Sequence, residues 1–240
     1  MAQHIARLWV SESIKAGAIL PIADADRVHH LRDVLRLKTG DSVLVFNGTD
    51  GEWRASAAAV TKQSITLNIE SQTQPAPAAD TPRVHLAFAP LKRAATEWLV
   101  EKATELGAAQ LTPVITDHTQ VRTLNADRLQ AIAVDAVEQC GGFTPPQLDA
   151  CVPLKNFLQA WPVDTPLYAA LETERDTAPV FAPDRSRDIA ILIGPEGGWS
   201  DDEIALLKQH AAVKPISLGR RILRAETAAL AACAIAKTGN

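Results

Sequence analysis

The sequence predicts an α/β protein with a small β-rich N-terminal domain and a larger domain of alternating strands and helices, and three observations carry that prediction. First, short apolar runs at 83–89, 111–115, 167–171, 188–193 and 215–218 suit strands of a buried, largely parallel sheet. Helical patterns near 96–106, 127–140, 201–210 and 226–237 alternate with them, which places helices on both faces of the sheet. Second, residues 71–82, SQTQPAPAADTP, hold three prolines and few large apolar groups, and proline disfavours both helix interiors and central strands. The chain therefore divides into residues 1–73, a linker at 74–82, and residues 83–240. Third, strand and hairpin signals crowd the first of these parts.

In that first part, 42–46, 52–60 and 64–70 are predicted strands, the last with Ile65, Leu67 and Ile69 alternating at the period of two that puts one face in a core. Asn47-Gly48 and Asp50-Gly51 supply the positive-φ residues a hairpin needs. One helix is expected over 25–37, capped by Asp24 or Asp26, with Val28, Leu31 and Leu35 as its apolar stripe. Arg27, His30 or Arg32, and Arg36 then point elsewhere, so a small β-barrel with one basic helix is implied.

In the larger domain, Trp98, Leu99, Ala103 and Leu106 share the apolar face of the first helix, with Lys102 snorkelling among them and Glu97, Glu101 and Glu105 on a solvated face. The helix starting at Ser200 has a strong start signal. Ser200 and Glu203 make a capping box, and Trp199 and Ile204 sit where a hydrophobic staple would. The turn before it is thus rigid. The last helix is built largely of alanine, which serves close backbone approach and helix propensity alike.

A chain of 240 residues, 47% of them apolar, can bury an ordinary core without disulfides or metals. Cys140, Cys151 and Cys233 form no C-x-x-C pair and are expected as buried small apolar residues. No apolar run approaches the roughly 18 residues of a membrane span, and a cytoplasmic protein is expected. Acidic and basic residues balance within 1–73, so the whole net charge of −4 falls in 74–240. A generally basic nucleic-acid coat is excluded, and RNA binding has to come from local patches at 27–38 and 220–224.

Two glycine turns are the candidate site. Gly194-Pro195-Glu196-Gly197-Gly198 follows a strand and precedes a helix, where phosphate loops occur. It matches neither nucleotide fingerprint, and Glu196, Asp201, Asp202 and Glu203 already occupy the field that would attract an anion. A neutral or cationic ligand fits better. Gly219, followed by Arg220, Arg221 and Arg224, makes the second turn, and two such turns leaving neighbouring strands would wall one crevice. Read alone, this second turn could equally be a strand end with solvated arginines. No histidine pair has metal-ligand spacing, and there is no G-x-S-x-G turn or Cys and His arrangement for covalent catalysis.

The segments HLRDVLRLKTGD at 30–41, KATELG at 102–107, Glu138-Gln139, IGPEGG at 193–198 and LGRRILRAETA at 218–228 occur in the order found in the 16S ribosomal RNA uracil-N3 methyltransferases. The chain resembles that family, a branch of the SPOUT superfamily of knotted methyltransferases, over essentially its whole length. The last two motifs are specific when found together.

The resemblance implies a PUA-like β-barrel for RNA and an α/β domain whose C-terminal segment threads a trefoil knot, a rare exception to unthreaded chains. It implies S-adenosylmethionine held by Leu171 and Glu172, by Ile193, Gly194, Pro195, Glu196, Gly197 and Gly198, and by Leu218, Gly219, Ile222 and Leu223. The expected substrate is one uridine of 16S rRNA in the small ribosomal subunit, the expected assembly a homodimer, and no metal is expected. Arg224, Glu196 and Glu226 are the candidates for catalysis. Arg27, His30, Arg32, Arg36, Lys38, Arg220 and Arg221 are the candidates for RNA contact. The chain departs from the family's pattern at Gly142 and His118, where arginine is common, which bears on substrate contacts more than on the cofactor. The alternatives are a knotted methyltransferase for another RNA position, or a non-catalytic RNA-binding assembly factor.

Overall fold

The computed structural model describes residues 5–78, 82–171 and 176–237. The chain forms two compact units, one of residues 1–81 with 137–144, the other of 82–136 with 145–240.

The first unit contains β1 (Arg7–Trp9), β2 (Ile19–Ile22), α1 (Ala25–His29), β3 (Ser42–Asn47), β4 (Gly51–Val60) and β5 (Ile65–Gln74). Its sheet runs β1-β3-β4-β5-β2, with β1 parallel to β3 and every other pair antiparallel. Among the described residues no ladder joins β1 to β2, so the pairing path stays open between the two edge strands. Residues of both edge strands, Leu8 and Leu20, nevertheless share one core with Val43, Val45, Ile65, Leu67 and Ile69. The β3–β4 turn forms because the Asn47 side-chain oxygen accepts from the amides of Thr49 and Asp50, at 3.0 and 2.6 Å, and Gly51 takes φ +82°.

The basic helix differs from its prediction. Asp24 caps it by accepting from the Arg27 amide at 2.9 Å, but the α-helix ends at His29 and continues as a π-helical turn, His30–Val34. The Leu35 amide donates to His30 O, five residues back, and Arg36 adopts φ +58°. The wider turn rotates the following side chains. Val28 and Leu31 stay buried, whereas Leu35 is exposed and Leu37 takes its place in the core.

The second unit contains β6 (Val84–Phe88), α2 (Arg93–Glu105), β7 (Ala108–Ile115), α3 (Ala126–Cys140, its last residues counting with the first unit), β8 (Gln147–Leu148), β9 (Val152–Pro153), α4 (Leu154–Ala160), β10 (Leu167–Ala170), β11 (Ile189–Ile193), α5 (Asp201–Gln209), β12 (Val213–Ile216) and α6 (Ala225–Lys237). All pairings are parallel, in the order β12-β10-β11-β6-β7-β8, with β9 beside the end of β7. Every residue of β11 is buried. Ile189, Ile191 and Ile193 face a core with α2 and α6, while Ala190 and Leu192 face another with α4 and α5. These two cores are the reason the strand reads as an unbroken apolar run.

Two further expectations fail. Trp98 is 43% exposed rather than on the buried face of α2, and Lys102 pairs with Glu101 and Glu105, both at 2.8 Å. Of the cysteines only Cys233 is fully buried, its thiol pushed up to about 12 by desolvation, while Cys140 is exposed.

Candidate cofactor cavity

The carboxyl ends of three adjacent strands, β12, β10 and β11, open into one cavity of about 630 Å³ in the second unit, and Lys92, at the start of α2 after β6, also lines it. That position is where open α/β sheets bind ligands, and the volume suits a drug-sized molecule. Ala170 and Leu171 line it at the exit of β10, Ile193 to Glu196 with Gly198 and Trp199 at the exit of β11, and Ile216 to Gly219 at the exit of β12.

The turn after β11 is held from several sides. The Trp199 indole N–H donates to Ala170 O at 3.2 Å, which lays the ring over Gly194 so that a Cβ there would stand 2.7 Å from it. Gly198 has φ +73°, and its carbonyl meets His118 Nδ1 at 3.0 Å. The expected capping box is present. Ser200 Oγ accepts from the Glu203 amide at 3.2 Å, and Glu203 Oε2 accepts from the Ser200 amide at 3.0 Å. Glu203 Oε1 also accepts from the Asp117 amide at 2.9 Å, tying the β7 exit to this turn.

The turn after β12 is looser. Ser217 Oγ accepts from the Gly219 amide at 3.2 Å, and Gly219 has φ +105° with nothing within 4 Å of where a Cβ would stand. Arg220, Arg221, Ile222 and Arg224 are outward-lying or only partly covered, with Ile222 68% exposed, while Leu218 and Leu223 pack on the core.

Ten of the residues inferred for the cofactor therefore line a single cavity: Leu171, Ile193, Gly194, Pro195, Glu196, Gly198, Leu218, Gly219, Ile222 and Leu223. Gly197 lies outside the lining, close against His118, and Glu172 lies outside the described residues. Of the catalytic candidates, Arg224 and Glu196 line the cavity and Glu226 does not. Glu226 Oε2 is a buried acceptor with no hydrogen-bond partner among the described residues. Lys92, Trp199, Ser217, Ala225 and Ala228 also line the cavity. Trp199, Ser217, Ala225 and Ala228 adjoin or fall within the glycine-turn segments, whereas Lys92 is distant in sequence and only strand order brings it to them.

The RNA candidates divide by what already holds them. Arg27 is tied to Trp9 O and to Glu138, the latter at 3.7 Å. Arg32 grips Asp33 through two bonds of 2.7 and 2.5 Å, which with His29 holds that carboxyl down at about 2. His30, Arg36 and Lys38 are exposed. Gly142, the departure in the first unit, is explained locally. Its carbonyl accepts from the Arg7 guanidinium at 3.1 Å, and a Cβ would sit 2.7 Å from Val137 Cγ2. Arg7 also donates to Val137 O and Glu138 O, pairs with Glu52 at 2.7 Å and stacks on Phe46. Among the described residues no His, Cys, Asp and Glu cluster has the makings of a metal site, and no helix is long and apolar enough to cross a membrane.

A parallel sheet with a walled crevice at its strand ends defines the second unit, by class, as a ligand-binding α/β domain. The profile of the RNA methyltransferase domain matches residues 79–237, and that of the RNA methyltransferase PUA domain matches 22–70. The ribosomal RNA small subunit methyltransferase E of Rickettsia conorii is 33% identical over 231 residues, covering 95% of this chain and 93% of the relative. A methyltransferase of Legionella pneumophila, solved with bound cofactor SAM, is 30% identical with a TM-score of 0.84, covering 97% of each chain. A ribosomal RNA small subunit methyltransferase E of Neisseria gonorrhoeae, solved with S-adenosyl methionine, is 26% identical with a TM-score of 0.83, covering 96% of each. The chain belongs to the ribosomal RNA small subunit methyltransferase E family.

Proposed function

We propose that this protein methylates N3 of one uridine in the 16S rRNA of the small ribosomal subunit, using S-adenosylmethionine and acting as a homodimer. The observation that carries the reading is the cavity, which brings together ten residues inferred for the cofactor, Leu171 from the exit of β10 and nine from the two glycine-turn segments, in a chain whose solved relatives carry SAM. The lining fits that group. Leu171, Ile193, Leu218 and Leu223 offer apolar surface for an adenosine, and the glycine turns offer backbone close to the ligand. Bound there, S-adenosylmethionine supplies a methyl group already activated by its sulfonium.

The protein's own task is to align the base and favour its N3 anion, because the imide nitrogen is a poor nucleophile until its proton leaves. Arg224 faces the cavity and stabilises that charge; Glu196, in the same lining, is the proton acceptor we favour. His30, Arg36 and Lys38 are exposed cations of the first unit suited to RNA phosphates. The C-terminal knot, which the family resemblance implies, belongs to the same proposal.

The test is methyl transfer from labelled S-adenosylmethionine to unmodified small subunits by wild type and Arg224→Ala, followed by mapping of the modified base. A reverse-transcription stop at one uridine is expected, because N3 lies on the pairing edge. Label on a carbon or a ribose oxygen rejects the N3 assignment, and full activity in the variant removes Arg224 from the mechanism.

A further inference from the structure

We propose that Lys92 is a catalytic residue of this site, its ammonium meeting a uracil carbonyl oxygen beside N3 and holding the negative charge that develops there. The inference rests on the uracil-N3 reading and assigns the reaction a group that belongs to neither glycine turn. Lys92 lies just beyond β6, the strand flanking β11 on the side away from β10, and lines the cavity from that wall. It is exposed, and among the described residues it has no carboxylate partner. The other basic residues of α2 near it are engaged: Arg93 pairs with Glu97 at 2.9 Å, and Lys102 with Glu101 and Glu105, whereas Arg221 and Arg224 line the cavity from the β12 side.

Its setting adds to its charge. Lys92 is the N-cap of α2, which has no side-chain cap and no acidic residue in its first turn, so the partial positive charge of that helix end is uncompensated. The opposite holds at α5, whose first turn carries Asp201, Asp202 and Glu203 and whose N-terminus is closed by the capping box. The cavity's β11 side carries the carboxylate of Glu196, its β12 side carries Arg221 and Arg224, and its β6 side carries an ammonium at an uncapped helix start. A base placed with N3 toward Glu196 and a carbonyl oxygen toward Lys92 would lose its proton on one side and gain compensation for the resulting anion on the other.

The step balances. The N3–H proton passes to Glu196 and on to water, the N3 electron pair forms the N–CH3 bond, and the methyl–sulfur bond breaks with its pair going to sulfur. The products are N3-methyluridine, S-adenosylhomocysteine and one proton. Lys92 takes no part in the proton transfer and acts by charge alone.

The full-length protein, Lys92→Met and Lys92→Arg are compared in three measurements. Titration calorimetry with S-adenosylmethionine is expected to give the same affinity for all three, within about twofold. Methyl transfer at neutral pH is expected to fall about 100-fold in Lys92→Met, the scale of losing one preorganised charge-stabilising group, and to recover partly in Lys92→Arg. In the complex with S-adenosylhomocysteine and RNA carrying 5-fluorouridine at the target position, fluorine NMR follows ionisation of N3 directly. Its midpoint is expected at least about one pH unit higher in Lys92→Met than in wild type, equivalent to a tenfold weaker hold on the anion. Equal midpoints overturn the proposal. A loss of S-adenosylmethionine affinity that matches the loss of rate also overturns it, and would move Lys92 to the cofactor's carboxylate. Wild type that methylates a position other than N3 instead refutes the underlying function.

Discussion

The turns after β11 and β12 each contain a glycine at positive φ, Gly198 at +73° and Gly219 at +105°, yet they are built in opposite ways. The first is clamped by an indole over Gly194, by His118 on a carbonyl, and by a capping box whose glutamate also holds the β7 exit. The second is anchored at Ser217, whose backbone pairs with Pro179 and Phe181 and whose hydroxyl accepts from Gly219, and then runs through exposed Arg220, Arg221 and Ile222. One wall of the cavity is thus preformed and supplies shape. The other is open and supplies charge and an exposed apolar side chain, so ligand contact has more ordering left to do there.

Breaking the clamped wall has the largest expected effect. Gly194→Ala drives a methyl into the Trp199 ring, overpacking that costs about 1–3 kcal/mol, so S-adenosylmethionine affinity by calorimetry falls about 10- to 100-fold. Gly194→Ala combined with Trp199→Leu regains most of that loss if the indole is the obstacle. Glu203→Ala comes next. It strands the amides of Asp117 and Ser200 and lowers stability by about 2 kcal/mol, read as a lower midpoint in urea.

The open wall is expected to tolerate more. Gly219→Ala meets no neighbour within 4 Å, so its cost is backbone strain alone, about 1 kcal/mol, again measured in urea. The smallest effect belongs to Arg220→Ala, exposed and outside the cavity lining. Its stability should stay within about 0.5 kcal/mol and its S-adenosylmethionine affinity unchanged, while the slope of log affinity for RNA against log salt falls by about 1. A Gly219→Ala variant as damaged as Gly194→Ala would erase the distinction between the walls.

Much of the larger unit was legible in the sequence. The run at 188–193 identified β11 because a strand buried on both faces excludes polar residues, and the Ser200 and Glu203 spacing identified the start of α5 because a capping box is local chemistry. The short β8 and β9 were not legible, since two residues carry no periodicity. Neither was the fate of Leu35. A π-helical turn shifts the register of everything after it, and no residue type in 30–34 announces one.

The chain's own sequence determined which segments form the longer strands and helices of the second unit, where the glycine turns fall, and which family the motifs belong to. The elements and turns follow from periodicity, capping and backbone freedom, all short-range properties, and the family from the resemblance of the motifs. Only the tertiary structure decided that Lys92 and Trp199 share a cavity with both turns, that Arg27 and Arg32 are already engaged, and that Arg7 holds the segment at 137–144. Each of these joins groups distant in sequence or depends on which partner a charged side chain meets, and strand order and packing set those neighbours.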